Sequence, residues 1–219
     1  MFKKLLLTFL VCIYANPALA FIPDSNTLTF DIFRNDKALG EHRVSFEKEN
    51  GNTIVNINID MQYDLGPITL FRYAHQNTEI WKGNKVLSMK STTNDDGDDY
   101  KVDATWAKQS VNVTANENTF EAAPTIFPTS YWNPVFLKSD QLLNTQKGEI
   151  EDITVTKAGT KNITIAGETI TADHYKVAAS IPLDLYYDQK SKQWVGLEFE
   201  ARGSTIKYRR TTPINGNTQ

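Results

Sequence analysis

Hydrophobic and polar residues alternate along most of this chain in short runs separated by turn residues. That two-residue period marks strands with one buried face. The clearest case is 52–63, where Val55, Ile57, Ile59, Met61 and Tyr63 point one way while Asn56, Asn58, Asp60 and Gln62 point the other. Before it, 27–34 puts Leu28, Phe30 and Ile32 on one face, and 39–49 puts His42 in the same parity as Val44 and Phe46. Asn50-Gly51 is the strongest hairpin signal, because both residues tolerate the positive φ of a type I′ turn. Leu65-Gly66-Pro67 breaks the long strand. Further strands are expected over 69–81, 85–93, 100–106 and 110–115, with turns at Lys82-Gly83-Asn84 and at the acidic stretch 94–99. Such short connections favour sequential, antiparallel neighbours in one twisted sheet.

The pattern changes over 122–146. Pro124, Pro128 and Pro134 punctuate a stretch that holds Phe127, Tyr131, Trp132, Phe136, Leu142 and Leu143. It is too aromatic for a solvated linker. A packed crossover is expected, with short helices at 134–138 and 139–144 and Ser139 or Asp140 as N-cap. Strands resume over 148–157, 162–166, 168–179, 183–188, 193–201 and 204–210, with turns at Gly159, Gly167, 188–192 and Gly203. The polar tail, 211–219, is expected to fray. A sheet of roughly 12–14 strands cannot stay flat. The fold class is therefore all-β: a large antiparallel meander curled into a half-barrel or barrel, with the crossover as plug or lid. One domain over 21–210 is expected, its sub-regions 27–121 and 147–210 joined by 122–146.

The ends and the composition add a compartment. Lys3 and Lys4 precede an apolar run over 5–15 and an Ala18-Leu19-Ala20 cleavage site, so 1–20 reads as a signal peptide and the mature chain starts at Phe21. The run is too short to span a bilayer, and no later segment reaches that length. Bacterial periplasm is the expected location, with full secretion second. Cys12 is the only cysteine of 219 residues, so the mature chain has no disulfide, no cysteine-bound zinc and no thiol nucleophile. It follows Phe9-Leu10-Val11, a poor context for a lipoprotein. The formal net charge of −3 becomes about −5 without the leader, which argues against non-specific binding to nucleic acid or anionic membranes.

The richest chemistry lies in 71–81. On a regular strand Phe71, Tyr73, His75, Glu79 and Trp81 share a face, and a buried histidine and carboxylate are candidates for acid–base work. His75 and Glu79 are nevertheless four residues apart, so direct contact would need a bulge. A structural polar cluster is the plainer alternative. Arg72 falls on the opposite face with Gln76, Thr78 and Lys82, as a surface partner for Asp60 or, if buried, as an anchor for an anionic head group. Asp95, Asp96 and Asp98 lie in the turn 94–99 and are candidate calcium ligands, against a solvated hairpin tip. Tyr131 and Trp132 sit in an aromatic loop that can wall a ligand site or simply plug the core. His42, His75 and His174 are dispersed, and nothing in the spacing makes them converge on a metal. The chain has no nucleophile elbow, zinc-protease motif, phosphate-binding loop or dinucleotide fingerprint, and no cofactor is expected.

Several of these segments also form a family pattern. It runs Phe71-Arg72-Tyr73, His75, Glu79 and Trp81, then Thr93-Asn94 and Gly97, then Ser130-Tyr131-Trp132-Asn133-Pro134, then Leu143-Asn144-Thr145 and Gly148. Trp194-Val195-Gly196-Leu197, Phe199 and Ile206-Lys207-Tyr208-Arg209 complete it. It resembles an uncharacterised family of exported proteobacterial proteins, known as a domain of unknown function, across essentially the whole mature chain. The resemblance implies a periplasmic all-β protein and supplies no activity. More distantly, the architecture is similar to the β half-barrels of periplasmic lipoprotein carriers.

Three functions remain open. The first is binding of a hydrophobic or amphipathic, lipid-like ligand in a β-lined cavity, with Arg72, Tyr73, His75, Glu79, Trp81, Tyr131 and Trp132 as pocket candidates. The second is an enzyme acting on lipid or envelope glycan through His75 and Glu79, from which the missing motifs lean away. The third is a structural or assembly partner in the cell envelope that uses an exposed sheet edge.

Overall fold

The structure is a computed structural model that describes residues 21–214. The expected signal peptide, 1–20, and the end of the tail, 215–219, lie outside the described residues. The N-terminal run comprises β1 (Thr27–Arg34), β2 (Lys37–Glu49), β3 (Asn52–Leu65), β4 (Ile68–Lys82), β5 (Lys85–Asp95), β6 (Asp98–Trp106), β7 (Val111–Ala115) and β8 (Asn118–Ala122). The crossover holds β9 (Phe127–Pro128), a 3₁₀ helix (Pro134–Lys138) and β10 (Gln141–Leu143), and β11 (Ile150–Asp152) follows it. The C-terminal run comprises β12 (Thr154–Ile165), β13 (Glu168–Ala178), β14 (Leu183–Asp188), β15 (Trp194–Ala201) and β16 (Ser204–Arg210).

Thirteen strands form one sheet in the order β12-β13-β14-β15-β16-β1-β2-β3-β4-β5-β6-β7-β8, every pair antiparallel. The two runs join where the last strand, β16, pairs with the first, β1. β12 and β8 are not paired with each other, so the sheet is a curled half-barrel and not a closed barrel. Its curl brings distant strands together: the Arg202 guanidinium, in the β15–β16 turn, lies 5.1 Å from the Phe71 ring on β4.

Local signals explain most elements. Asn50 and Gly51 take φ of 50° and 79°, closing the β2–β3 hairpin as their residue types demand. Asn133 caps the 3₁₀ helix by accepting a bond from the Val135 N–H, and Pro134 fills the first helical position. Other expectations need correction. The segment 139–144 is not a helix but contains β10, which pairs with β9 and β11 in a small separate sheet. Gly159 does not end a strand. At φ 126° it sits at a bulge inside the continuous β12, where the register with β13 shifts between Lys157 and Gly159. β8 was not expected from the sequence because Asn118–Ala122 offers only two apolar residues, the half-buried Phe120 and Ala122, too few to mark a period.

The start of the tail does not fray. Thr211 donates its N–H to the Thr29 carbonyl, and Ile214 is buried. Arg210 holds this segment by donating to the carbonyls of Thr212 and Pro213 and to the Gln193 side chain.

The main core lies on the concave face. It combines Leu28, Phe30, Val44, Phe46, Val55 and Ile57 with Leu185, Trp194 and Leu197 from the C-terminal run and with Trp132, Phe136 and Leu142 from the crossover. The crossover is thus a plug, but it covers only part of the face.

Candidate functional site

The inward row of β4 runs Phe71, Tyr73, His75, Asn77, Glu79, Trp81, and its two ends meet different surroundings. At the plugged end Glu79 is fully buried. Its Oε2 accepts bonds from the indole N–H groups of Trp81 at 2.7 Å and Trp132 at 3.0 Å, and its Oε1 accepts one from Asn77 Nδ2 at 2.9 Å. Burial pushes its carboxyl up, while the donors of Trp132, Trp81, Ser130 and Asn77 pull it back. The two indole rings meet edge to face at 5.0 Å, and Phe46 meets Trp132 in the same way at 5.1 Å. Tyr131 occupies a left-handed φ of 59°, and the Tyr187 hydroxyl fixes it by donating to the Tyr131 carbonyl at 2.7 Å. Glu79, Trp81 and Trp132 therefore clamp the plug to the sheet.

At the other end the plug stops short, and the same face lines a cavity of about 470 Å³. Ile59, Met61 and Tyr63 of β3, Leu70, Phe71 and Tyr73 of β4, and Phe199, Ile206 and Tyr208 of the C-terminal run make an apolar wall. Leu70 and Ile181, also lining it, are exposed to 50% and 46%, unusual for large aliphatic side chains outside a binding surface. Leu65 and Ile68, at the tip of the β3–β4 hairpin, are exposed as well. Arg34 and Arg202 stand over the Tyr63 and Phe71 rings, which face each other across β3 and β4. Among the described residues neither arginine has a carboxylate partner.

Between these ends lies a smaller polar chamber of about 140 Å³. His42 on β2 and His75 on β4 flank Ile59 in one cross-strand row, and both line the chamber. Burial holds both imidazoles below their ordinary range, His75 at about 4 and His42 at about 3, with the neighbouring His75 adding to the effect on His42. His75 Nδ1 is paired with the Thr93 hydroxyl at 2.7 Å. Both ring nitrogens of His42, and Asn77 Oδ1, are buried without a hydrogen-bond partner. The Tyr73 hydroxyl donates to Gln146 Oε1 at 3.3 Å, and Gln146 in turn donates to Asp95.

The candidates from the sequence divide among these places. Tyr73 alone lines both the cavity and the chamber, and His75 lines the chamber only. Glu79, Trp81 and Trp132 belong to the clamp, and Tyr131 packs beside it against Phe136 and Trp194. His75 and Glu79 have separate partners, with no bond between them among the described residues. Arg72 is exposed on the convex face, where it donates to Gln62 and not to Asp60, so it is no buried anion anchor. Asp95, Asp96 and Asp98 do not converge: Asp95 meets Gln146, Asp96 accepts a long bond from the Arg72 N–H, and Asp98 is exposed. Among the described residues no three His, Asp or Glu side chains gather as a metal site. His174 lies apart, paired with Asp184. The sequence reading missed Met61, Leu70, Ile181, Arg34 and Arg202 as cavity residues, because two of them are in turns and none belongs to a chemical motif. The alternation that turns Met61 and Tyr63 inward, and Tyr73 with Phe71 on the inward face of 71–81, are the signals that pointed to this site.

No curated protein matches the sequence. Among solved structures, a β-barrel-like protein of another domain of unknown function, DUF1849, from Brucella abortus is similar at a TM-score of 0.64 and 11% identity, covering 85% of this chain and 95% of that one. That likeness shows a shared fold. The lipoprotein LppX from Mycobacterium tuberculosis (TM-score 0.28, 11% identity, 87% and 88% covered) and LprF from Mycobacterium bovis (0.30, 10%, 90% and 94%) superimpose too loosely to carry an argument. No helix among the described residues is long and apolar enough to cross a membrane. The family profile of Domain of unknown function (DUF6134) matches residues 30–211, and the chain belongs to that family.

Proposed function

We propose that this protein is an exported periplasmic binding protein for a hydrophobic or amphipathic ligand, which it holds in the cavity at the open end of the half-barrel. The supporting observation is the apolar cavity of about 470 Å³ whose rim leaves Leu70 and Ile181 exposed. Each Å² of ligand hydrocarbon buried there contributes roughly 25 cal/mol before ordering costs, enough for a chain of several methylenes to bind. Export rests on the leader pattern of 1–20.

The other two functions find less support. A His75–Glu79 acid–base pair would need the two groups in reach of one substrate atom, and each is committed elsewhere. Edge pairing would need a bare strand, whereas β12 carries a bulge at Gly159 and exposed Lys157 and Lys161, and β8 has only five residues.

Native mass spectrometry of protein recovered gently from periplasm tests the proposal. A bound mass in the lipid range is expected, and its loss in Met61→Lys, which places a charge in the cavity wall. Bare protein that also binds no apolar dye would reject the proposal. Recovery from the periplasm with Phe21 as first residue tests the export half.

A further inference from the structure

We infer that the polar chamber beside the apolar cavity is its head-group subsite, taking an uncharged, hydroxyl- or amide-bearing group that enters polar end first. This rests on the ligand-binding reading above. Cavity and chamber share Ile59, Tyr73 and Gln146, so they lie end to end along one concave face. Tyr73 and Gln146, joined by a long bond of 3.3 Å, line both volumes, and a head group entering the chamber would pass beside them.

The chamber carries its own demand for a partner. His42 is 3% exposed, yet both its ring nitrogens are unpaired, and Asn77 Oδ1 is unpaired beside it. Native interiors rarely strand buried polar atoms, and such atoms are met by ordered water, an ion or a bound group. The volume of about 140 Å³ is far more than one water needs. The unmet atoms also define the group. A neutral imidazole offers one donor and one acceptor, and Asn77 Oδ1 is an acceptor. Together they call for two donated hydrogens and one acceptor, which a primary amide or a pair of hydroxyls supplies. An anion does not, because both imidazoles are uncharged at neutral pH and no lysine or arginine lines the chamber.

The same residues set the orientation. Arg34 and Arg202 at the outer end could receive an acidic head, but its hydrocarbon would then lie against the unpaired atoms of His42 and Asn77. With the polar end inward, those atoms gain partners and the chain runs out along Met61, Phe71 and Leu70 toward the exposed Ile181.

The test compares three probes of one chain length: 1-monodecanoylglycerol, methyl decanoate and decanoate at pH 8. Each is titrated into the purified protein by displacement of an environment-sensitive apolar dye. The glyceride is expected to bind about tenfold more tightly than the methyl ester. In His42→Phe the ratio of glyceride to ester affinity should fall toward one, and the thermal midpoint should rise. A histidine of merely structural value would lower the midpoint. Should His42→Phe fail to fold, the comparison on the unaltered protein decides alone. Equal binding of glyceride and ester overturns the inference and leaves the cavity standing. Tightest binding by decanoate, weakened by Arg34→Gln with Arg202→Gln, overturns it in favour of an acidic head at the rim. If no probe displaces the dye, the cavity reading falls and the inference with it.

Discussion

One face of β3 and β4 ends in two ways. At the plugged end Val55, Glu79 and Trp81 are buried under Trp132, and the carboxylate is used up by two indoles and an amide. At the open end Met61, Tyr63, Phe71 and Tyr73 follow the same alternation but remain partly exposed around a cavity. The strands, their parity and their chemistry are alike. The difference is the cover: the aromatic loop of the crossover reaches one end and not the other. An apolar strand face is a core where something packs on it and a binding surface where nothing does.

That contrast can be broken first at the clamp. Trp132→Ala removes the largest side chain of the plug and one of the donors to a buried carboxylate. A loss of about 3–5 kcal/mol in urea unfolding is expected. A smaller loss would mean that the plug is not what makes this end a core.

Acid sharpens it next. An unfolded imidazole titrates near 6.5, while His75 and His42 are held at about 4 and about 3. Between those values the unfolded chain binds protons that the native chain refuses. Their contribution is therefore complete above about pH 6.5 and is lost as the pH falls toward 4, by on the order of a few kcal/mol. Glu79 works in the opposite sense. Its carboxyl is pushed up, so its contribution is present at low pH and declines as the pH rises through its native value. Urea midpoints measured from pH 7 to pH 4 should fall, and His42→Phe should flatten the slope.

At pH 7 the same His42→Phe variant is expected to stabilise the free protein by about 1–2 kcal/mol, since it replaces two unpaired buried nitrogens with carbon among Phe30, Trp194 and Tyr208. The smallest effect belongs to the rim. Ile181→Ser should leave stability within about 0.5 kcal/mol while weakening uptake of an apolar dye. A rim substitution that unfolded the protein would make the open end a core after all.

The regularity of the sheet was legible because a strand with one buried face writes its period into its own residues. Tyr63, Tyr73 and His42 turn inward as their parity requires. The bulge at Gly159 was not legible, since a glycine between two strand-like runs reads equally as a turn. β10 was mistaken for helix because three residues, Gln141–Leu143, are too few to show a period. The motif around 71–81 drew attention to Glu79 and Trp81, which hold the plug, and away from Leu70 and Ile181, which no motif marks.

The sequence by itself determined a many-stranded antiparallel sheet with an apolar face, an aromatic crossover and the inward set of each long strand. These follow from local alternation and turn chemistry, which need no knowledge of distant residues. Only the tertiary structure decided how far the crossover covers that face, that β16 pairs with β1, and that His42 and His75 meet across Ile59. Those facts depend on contacts between residues far apart in the chain, and no local period encodes them.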